Sequence, residues 1–548
     1  MRNKLVKTWH FLGSKVTTLL ILDFVFGVLW FGIESGFLIV FQGFLLALQI
    51  ADLGTLRLPS WYPQGLEINL LIFALYGLIR AALIGAKRIV PALAAENFAA
   101  NQRNKILKKS LQYGQKSTTS EVLATFGDLT TKAGYCVQHG SIALTSFTII
   151  LLLLILSLRL AWVETILSIT LLVSVMYPLR RFNKKIRKEG EGLVKEWGKA
   201  NKLLGDSLKN IFLLRVYSLV EKELKKGMDK IESYGVHYSR YLYASGFIAS
   251  VPVFFGLLII AIVAFISKKY LTTDPFHFLA FLYLFLRTAQ IASQMNTAIT
   301  NVLFFQQPFL HLYRWTSDFK EEPLQENQVL TSKIDNQPIT IQLSDVSFGY
   351  VPNQDILKNL NLSIGKGEFL LLKGPSGVGK STIIKLMAGM EMPNSGQVQV
   401  GDLTPRDFVS LHSSSIGYVG PDPLLIAGTV RENLLYGNLQ TVADEDIWSS
   451  LEELGLLDVI QSFENGLNEI LHEETQLSTG QKQRLSFARA ILRKPVFLIL
   501  DEATANIDYN TESLIINYLR RLKNKVTVVA ISHRDSFDEV ADKKVILG

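Results

Sequence analysis

Residues Gly374 to Thr382 read GPSGVGKST. Gly374, Gly379, Lys380 and Ser381 occupy the fixed positions of the phosphate-loop pattern G-x-x-x-x-G-K-[ST]. A glycine-rich turn lets consecutive backbone N–H groups converge on phosphate oxygens, and a helix behind it points its positive dipole end at the same spot. The flanks suit this reading: Glu368 to Leu372, EFLLL, reads as a buried strand, and Ser381 to Met390 as a helix. The loop residues read as ATP-binding are Gly374, Ser376, Gly377, Val378, Gly379, Lys380, Ser381 and Thr382. Lys380 would reach the outer phosphates, and the Ser381 hydroxyl would sit on Mg2+.

Three more stretches belong with that loop. Phe497 to Glu502, FLILDE, is an apolar strand ending in two carboxylates, with Asp501 placed for the Mg2+ shell and Glu502 to polarise an attacking water. Leu477 to Gln481, LSTGQ, opens a helix running from about Lys482 to Leu492. Ser478 and Gln481 stand at capping-box spacing, and a helix start with a hydroxyl donor and a glycine is also an anion site. His533 follows an apolar run at Val526 to Ile531, at the strand end where ligands gather in α/β sheets, and Tyr350 is an aromatic available to stack on a base.

The chain has 548 residues, too long for a single core. Hydrophobic residues make up 49%, mean hydropathy is +0.25, and the apolar runs lie before about residue 310, which separates a membrane half from a water-soluble half. The net charge of +8 does not imply nucleic acid, because the cations cluster beside alternate apolar runs. Arg2, Lys4, Lys7 and Lys15 precede the first run; Arg103, Lys105, Lys108, Lys109 and Lys116 lie between the second and third; Arg180 to Lys188 follows the fourth. A single cysteine, Cys136, makes no intramolecular disulfide, and no Cys/His cluster has zinc spacing.

Six spans are expected: Val16 to Ala51, Ile68 to Ala86, Ile142 to Leu158, Thr165 to Tyr177, Ala244 to Ser267 and a run from about Phe276. Ala51 to Glu67 reads as an outer loop, Arg159 and Glu164 mark a short loop, and Pro252 interrupts the fifth run. The polar stretches after spans two and four carry helical patterns, with short tip helices at Glu121 to Asp128 and Ile211 to Tyr217. Asp318 to Asn336 reads as a linker, so the expected domains are 1–316, a linker at 317–337, and an α/β domain at 338–548. In that domain strands are expected at Ile339 to Phe348, Phe369 to Leu372, Ile416 to Val419, Val496 to Leu500 and Val526 to Ile531, with a turn at Ile364 to Gly367.

The sixth span carries Arg287 and the amides Gln290, Gln294, Asn296, Asn301, Gln306 and Gln307. Amides at that depth face either a wet cavity or neighbouring helices. Glu34, Arg80, Arg287, Gln290, Gln294 and Asn301 are therefore the candidate cavity residues, with Glu34 and Arg80 also readable as a structural pair.

Together these motifs resemble the ATP-binding cassette transporter family across nearly the whole chain, in its exporter half-transporter arrangement. The resemblance implies a six-helix transmembrane domain followed by an α/β P-loop NTPase domain, using ATP and Mg2+. It assigns base stacking to Tyr350, and catalytic roles to Glu502 and His533. It places Ser478, Thr479, Gly480 and Gln481 on the nucleotide of a partner subunit. It further implies a second half-transporter, with a homodimer favoured over a heterodimer, surrounding membrane lipid, a transported substrate and no nucleic acid. The expected setting is multi-pass in the inner or plasma membrane of a prokaryote, with the nucleotide-binding domain cytoplasmic. Cargo is expected to be amphipathic or peptide-like; the alternatives are a flippase for lipid or lipid-linked saccharide, and an ATP-gated regulatory protein of weak turnover. The chain departs from the family in three places: Pro421 holds the Q-loop glutamine's position, Thr479 replaces a signature glycine, and Leu471 to Thr475 lacks the usual glycines.

Overall fold

The computed structural model describes residues 11–48, 62–63, 65–113, 119–177, 180–270, 275–317, 337–351, 354–438, 441–471, 477–504 and 507–548. Residues 318–336 of the expected linker, the basic residues Arg2, Lys4 and Lys7, most of the expected outer loop, residues 472–476 and Ala505 lie outside them. The chain divides into two compact units, Met1–Glu322 and Pro323–Gly548.

The first unit is helical: α1 Ser14–Ala47, α2 Leu66–Tyr113, α3 Thr130–Leu160, α4 Trp162–Met176, α5 Arg180–Lys209, α6 Val220–Tyr270 and α7 Pro275–Ser317. By length and composition, four helices among the described residues can cross a bilayer: Ser14–Ala47, Leu66–Leu111, Glu121–Leu160 and Val220–Lys269. Trp162–Met176 has 15 residues, and α7, with Arg287 and its amides, is not among the four. Leu71 and Leu78 on α2 are 70% and 69% exposed, as lipid-facing leucines would be.

Three expectations need correction. The loop expected around Arg159 and Glu164 is the single residue Ala161, and Glu164 is buried in the first turn of α4, where it accepts a hydrogen bond from Ser267 of α6 at 3.0 Å. Pro252 does not interrupt α6, which runs through it for 51 residues; one missing N–H is tolerated when the rest of a long helix is bonded and packed. The first tip helix is not separate, because Thr119–Ala124 passes through a π-turn at Thr125–Leu129 straight into α3. A short helix does stand at Ile211–Val216.

Trp30 of α1, Ile149 and Leu153 of α3, and Leu284 and Ile291 of α7 share one buried cluster, which brings these three helices together. Where α5 meets α7 the backbones nearly touch. A Cβ on Gly190 would lie 2.3 Å from the Phe304 carbonyl oxygen, so only glycine fits there.

The second unit contains β1 Ile341–Phe348, β2 Leu357–Ile364, β3 Phe369–Lys373, β4 Ser395–Val400, β5 Ile416–Val419, the two-residue partners β6 Gly428–Thr429 and β7 Ile470–Leu471, β8 Phe497–Asp501, β9 Thr527–Ile531 and β10 Lys543–Ile546. One sheet has the order β2-β1-β4 with antiparallel pairing, and the other is parallel with the order β10-β3-β9-β8-β5. Helices α8 Lys380–Met387, α9 Thr479–Leu492 and α10 Tyr509–Leu522 belong to this unit.

The parallel sheet is buried on both faces. Phe369 and Leu371 of β3, Leu498 and Leu500 of β8, and Val528 and Ala530 of β9 enter one cluster. Their alternates Leu370, Leu372, Phe497, Ile499, Val529 and Ile531 enter the other. Burial on both sides is why these strands read as unbroken apolar runs. Each fully buried leucine or isoleucine contributes about 1.5–3 kcal/mol.

Candidate functional site

Parallel pairing fixes the level of the functional loops. Leu372 pairs with Ile531, and Ile531 with Asp501, so the carboxyl ends of β3, β9 and β8 finish side by side. The loops leaving these strands therefore gather at one edge, the usual ligand position in an open α/β sheet. From β3 the chain turns through Gly374, Gly377 and Gly379, at φ 147°, 86° and 107°, before α8 begins. A Cβ on Gly374 would meet the Leu547 carbonyl oxygen at 2.3 Å, so this loop cannot be built with a larger residue.

Lys380, buried at the start of α8, donates to the carbonyl oxygens of Gly374 and Pro375 at 2.7 and 3.0 Å. Its ammonium is thus curled over the loop it serves. Ser381, the next residue, has its side chain beside the Asp501 carboxyl. Burial, and next the charge of Glu502, push the Asp501 pKa up, while Ser381 and the ammonium groups of Lys380 and Lys385 pull it down. A hydroxyl and a half-buried carboxylate beside a phosphate-type loop are a fitting oxygen donor set for Mg2+.

Glu502 has φ 49°, an uncommon conformation for a residue with a side chain, and its N–H donates to the Ile531 carbonyl at 3.0 Å. The turn leaves the carboxylate partly exposed, with Oε1 3.9 Å from His533 Nε2. His533 is held by its neighbour: Arg534 binds Glu512 of α10 through Nη1 and the Ile507 carbonyl through Nη2, and Glu512 is 2% exposed. Sequence reasoning misses Arg534 and Glu512, because an arginine and a glutamate twenty-two residues apart carry no local signal.

Tyr350 is half exposed, edge-on to Phe348, with Lys385 Nζ 5.5 Å from its ring centre. Ser478 caps α9 in a full capping box: its hydroxyl oxygen accepts from Gln481 N–H at 3.2 Å, and Gln481 Oε1 accepts from Ser478 N–H at 2.7 Å. Ser478 is exposed, and the cap uses its hydroxyl oxygen as an acceptor rather than its proton. Thr479 is exposed and Gly480 is partly exposed in the first turn of α9. The helix starts at Thr479 rather than near Lys482, since the cap is Ser478 itself. Pro421 is exposed in the bend after β5, and Gly420 beside it accepts a hydrogen bond from buried Gln483 of α9 at 2.8 Å.

The candidate residues of the first unit separate into two groups. Glu34 is fully buried and accepts from Arg80 Nη2 at 3.0 Å, from Arg287 Nη2, and from Tyr283 Oη at 2.9 Å. Arg287 Nη1 donates to Gln290 Oε1 at 2.6 Å, and Gln294 lines a cavity of about 450 Å3. Asn301 sits elsewhere, inside the helix packing, where it accepts from Tyr241 Oη at 2.6 Å and lies 3.0 Å from His139 Nε2.

A helical region with bilayer-crossing helices, joined in one chain to a P-loop domain with a two-carboxylate strand end, defines an ATP-binding membrane protein. The family pattern described as "ABC transporter transmembrane region" matches residues 14–290, and that described as "ABC transporter" matches residues 357–505. The chain belongs to the ABC transporter family, with membrane and ATP-binding regions fused. It is similar to the "Multidrug resistance ABC transporter ATP-binding and permease protein" of Lactococcus lactis subsp. cremoris (strain MG1363), 28% identical over 86% of this chain and 81% of the relative. It is 27% identical to "ABC transporter B family member 1" of Dictyostelium discoideum over 81% of this chain and 49% of the relative. It is also 38% identical to "ATP-dependent permease MDL1" of Candida albicans, over 40% of this chain and 33% of that one.

Proposed function

We propose that the protein is an ATP-driven exporter that moves an amphipathic or peptide-like substrate out of the cytoplasm by alternating access. The reading rests above all on Glu502 and His533, brought within 3.9 Å of each other at the edge that also carries the phosphate loop. Glu502 orients and deprotonates the attacking water, and His533 steadies the outer phosphate. The phosphate loop, with Ser381 and Asp501, holds MgATP, in which the ion neutralises phosphate charge, and Tyr350 stacks on the base. Ser478, Thr479, Gly480 and Gln481 complete the site of a second half-transporter, with the hydroxyl of exposed Ser478 donating to its nucleotide. A homodimer is favoured because this chain carries both Glu502 and His533. The proposed boundaries are a six-span membrane domain at 1–316, a linker at 317–337 and a cytoplasmic nucleotide-binding domain at 338–548, in the inner or plasma membrane of a prokaryote.

Pro421 and exposed Thr479 favour a second reading, a regulatory or ATP-gated protein of weak turnover, because proline offers no side-chain amide to ion or water. A lipid or lipid-linked saccharide flippase is the other form of the exporter reading. ATPase turnover of the protein alone in lipid nanodiscs, beside Glu502→Gln, decides between the exporter reading, in either form, and the regulatory one. The exporter reading expects turnover that drops about 10²- to 10⁴-fold in the variant while ATP binding persists. Wild-type turnover equal to the variant's would sink it.

A further inference from the structure

The membrane unit contains a buried charge cluster that does not balance. Glu34, fully buried on α1, is shared by two guanidinium groups, Arg80 of α2 and Arg287 of α7. One carboxylate neutralises one of them. The Nε atoms of both arginines are buried without a hydrogen-bond partner. Lys87 and Arg88, about two turns beyond Arg80 on α2, line the adjoining cavity and have no ion-pair partner among the described residues. The remaining acid there, Asp23, is 1% exposed and already accepts from Thr145 at 2.9 Å and from Ser141. Four cations, Arg80, Lys87, Arg88 and Arg287, thus stand against the two carboxylates Glu34 and Asp23.

The indole of Trp30 organises this surplus. Arg80, Arg287 and Lys87 lie 5.8, 5.6 and 5.4 Å from its ring centre, so three like charges gather around one π-system. Arg80 and Arg287 lie within expected spans, where uncompensated charge is costly, while Lys87 and Arg88 directly follow the expected second span, and a counter-ion at the cavity they share with Arg287 would complete the arrangement. The 450 Å3 cavity also has an isoleucine wall, Ile84, Ile142 and Ile291, with Ile84 one helical turn from Arg80 and Arg88 and Ile291 one turn from Arg287. Glu34 does not line the cavity; of the two guanidinium groups that it binds, that of Arg287 does.

We propose that this cavity binds the anionic head group, phosphate or carboxylate, of an amphiphile whose apolar body lies along the isoleucine wall. The proposal rests on the exporter reading in taking the ligand as cargo, and it narrows that cargo to anionic amphiphiles. Head-group oxygens would accept from Arg287, Lys87 and Arg88 and supply the missing negative charge.

Binding separates this proposal from the exporter reading, because it needs no turnover. The protein in phosphatidylcholine nanodiscs is titrated with dodecyl phosphate, dodecanol, dodecyltrimethylammonium and inorganic phosphate, with affinity read by the thermal unfolding midpoint against concentration. Dodecyl phosphate is expected to bind at least about tenfold more tightly than each of the other three. The Lys87→Gln/Arg88→Gln double variant breaks no ion pair among the described residues and is expected to lose that advantage. Replacing part of the phosphatidylcholine by phosphatidylglycerol assigns the source: a midpoint raised by the lipid alone, and lost in the double variant, makes a bilayer lipid the ligand, whereas a midpoint raised only by added dodecyl phosphate makes it a soluble amphiphile. Equal affinity for dodecyl phosphate and dodecanol, tighter binding of the quaternary ammonium, equal binding of inorganic phosphate, or an advantage that survives in the double variant would each overturn the proposal. ATPase turnover measured on the same samples reports on the exporter reading independently.

Discussion

In the nucleotide-binding unit, the carboxylates Asp501 and Glu502 stand at the end of a strand, one half-buried and the other partly exposed, with no arginine or lysine salt bridge to either among the described residues. In the membrane unit, Glu34 is fully buried and held by two arginines and a tyrosine. Both units set acid and base groups close together, yet in opposite electrical states. The first keeps negative charge without an arginine or lysine salt bridge among the described residues, and the second has its acid saturated and keeps positive charge instead. A carboxylate's function therefore follows from what its neighbours leave uncompensated, rather than from its own sign.

That contrast breaks most visibly at Glu34. Glu34→Gln would leave two guanidinium groups facing each other in the helix packing, a loss expected to cost about 3–5 kcal/mol. A thermal unfolding midpoint in detergent close to wild type would mean that the arginines turn outward and that the cluster is not built as described. At the other site the matched change has the reverse sign. The raised Asp501 pKa means that the protonated form is favoured by folding: the associated stability is complete below the ordinary value of 3.8 and is lost as pH rises through the higher folded value. At neutral pH the ionised side chain thus weakens the nucleotide-free fold. Asp501→Asn should raise the midpoint measured without nucleotide at pH 7 and weaken MgATP binding; a lowered midpoint would show that the carboxylate is already compensated.

The smallest expected effect concerns Ser478. Losing the cap alone costs about 1 kcal/mol of stability. If the hydroxyl also serves a partner's nucleotide, Ser478→Ala lowers ATPase turnover by more than its unfolding midpoint accounts for. Turnover that merely tracks the folded fraction would reduce this residue to a helix cap.

Motifs whose residues lie close together in the chain are legible without any fold. The phosphate loop, the FLILDE strand and the LSTGQ cap each bring their groups together through a local turn or a hydrogen-bonded helix start, so spacing is geometry there. Strands β2 and β4 are not legible in the same way. In β2, Asn359 sits at φ 45° beside a register shift with β1, where its N–H donates to Ser347 Oγ at 3.0 Å; in β4, Gly396 is at φ 82° against β1, where a Cβ would lie 2.3 Å from the Asp345 carbonyl oxygen; these irregularities destroy the alternation that marks a strand. Glu164 is misplaced by sequence reasoning for a related reason. A charged residue next to a helix break reads as loop, and its burial is supported by Ser267, 103 residues away, a partner that no local pattern announces.

By itself the sequence determined that the chain has an apolar helical half and a P-loop half, and where the phosphate-loop pattern falls, because period and local spacing are properties of the backbone. Tertiary structure alone decided that Glu34 serves Arg80 and Arg287 together, that Trp30 gathers three cations, and that Asn301 belongs to the helix packing while Gln294 belongs to the cavity. Those partners lie on different helices and meet only when the bundle packs, and neither composition nor periodicity encodes which faces of two helices will touch.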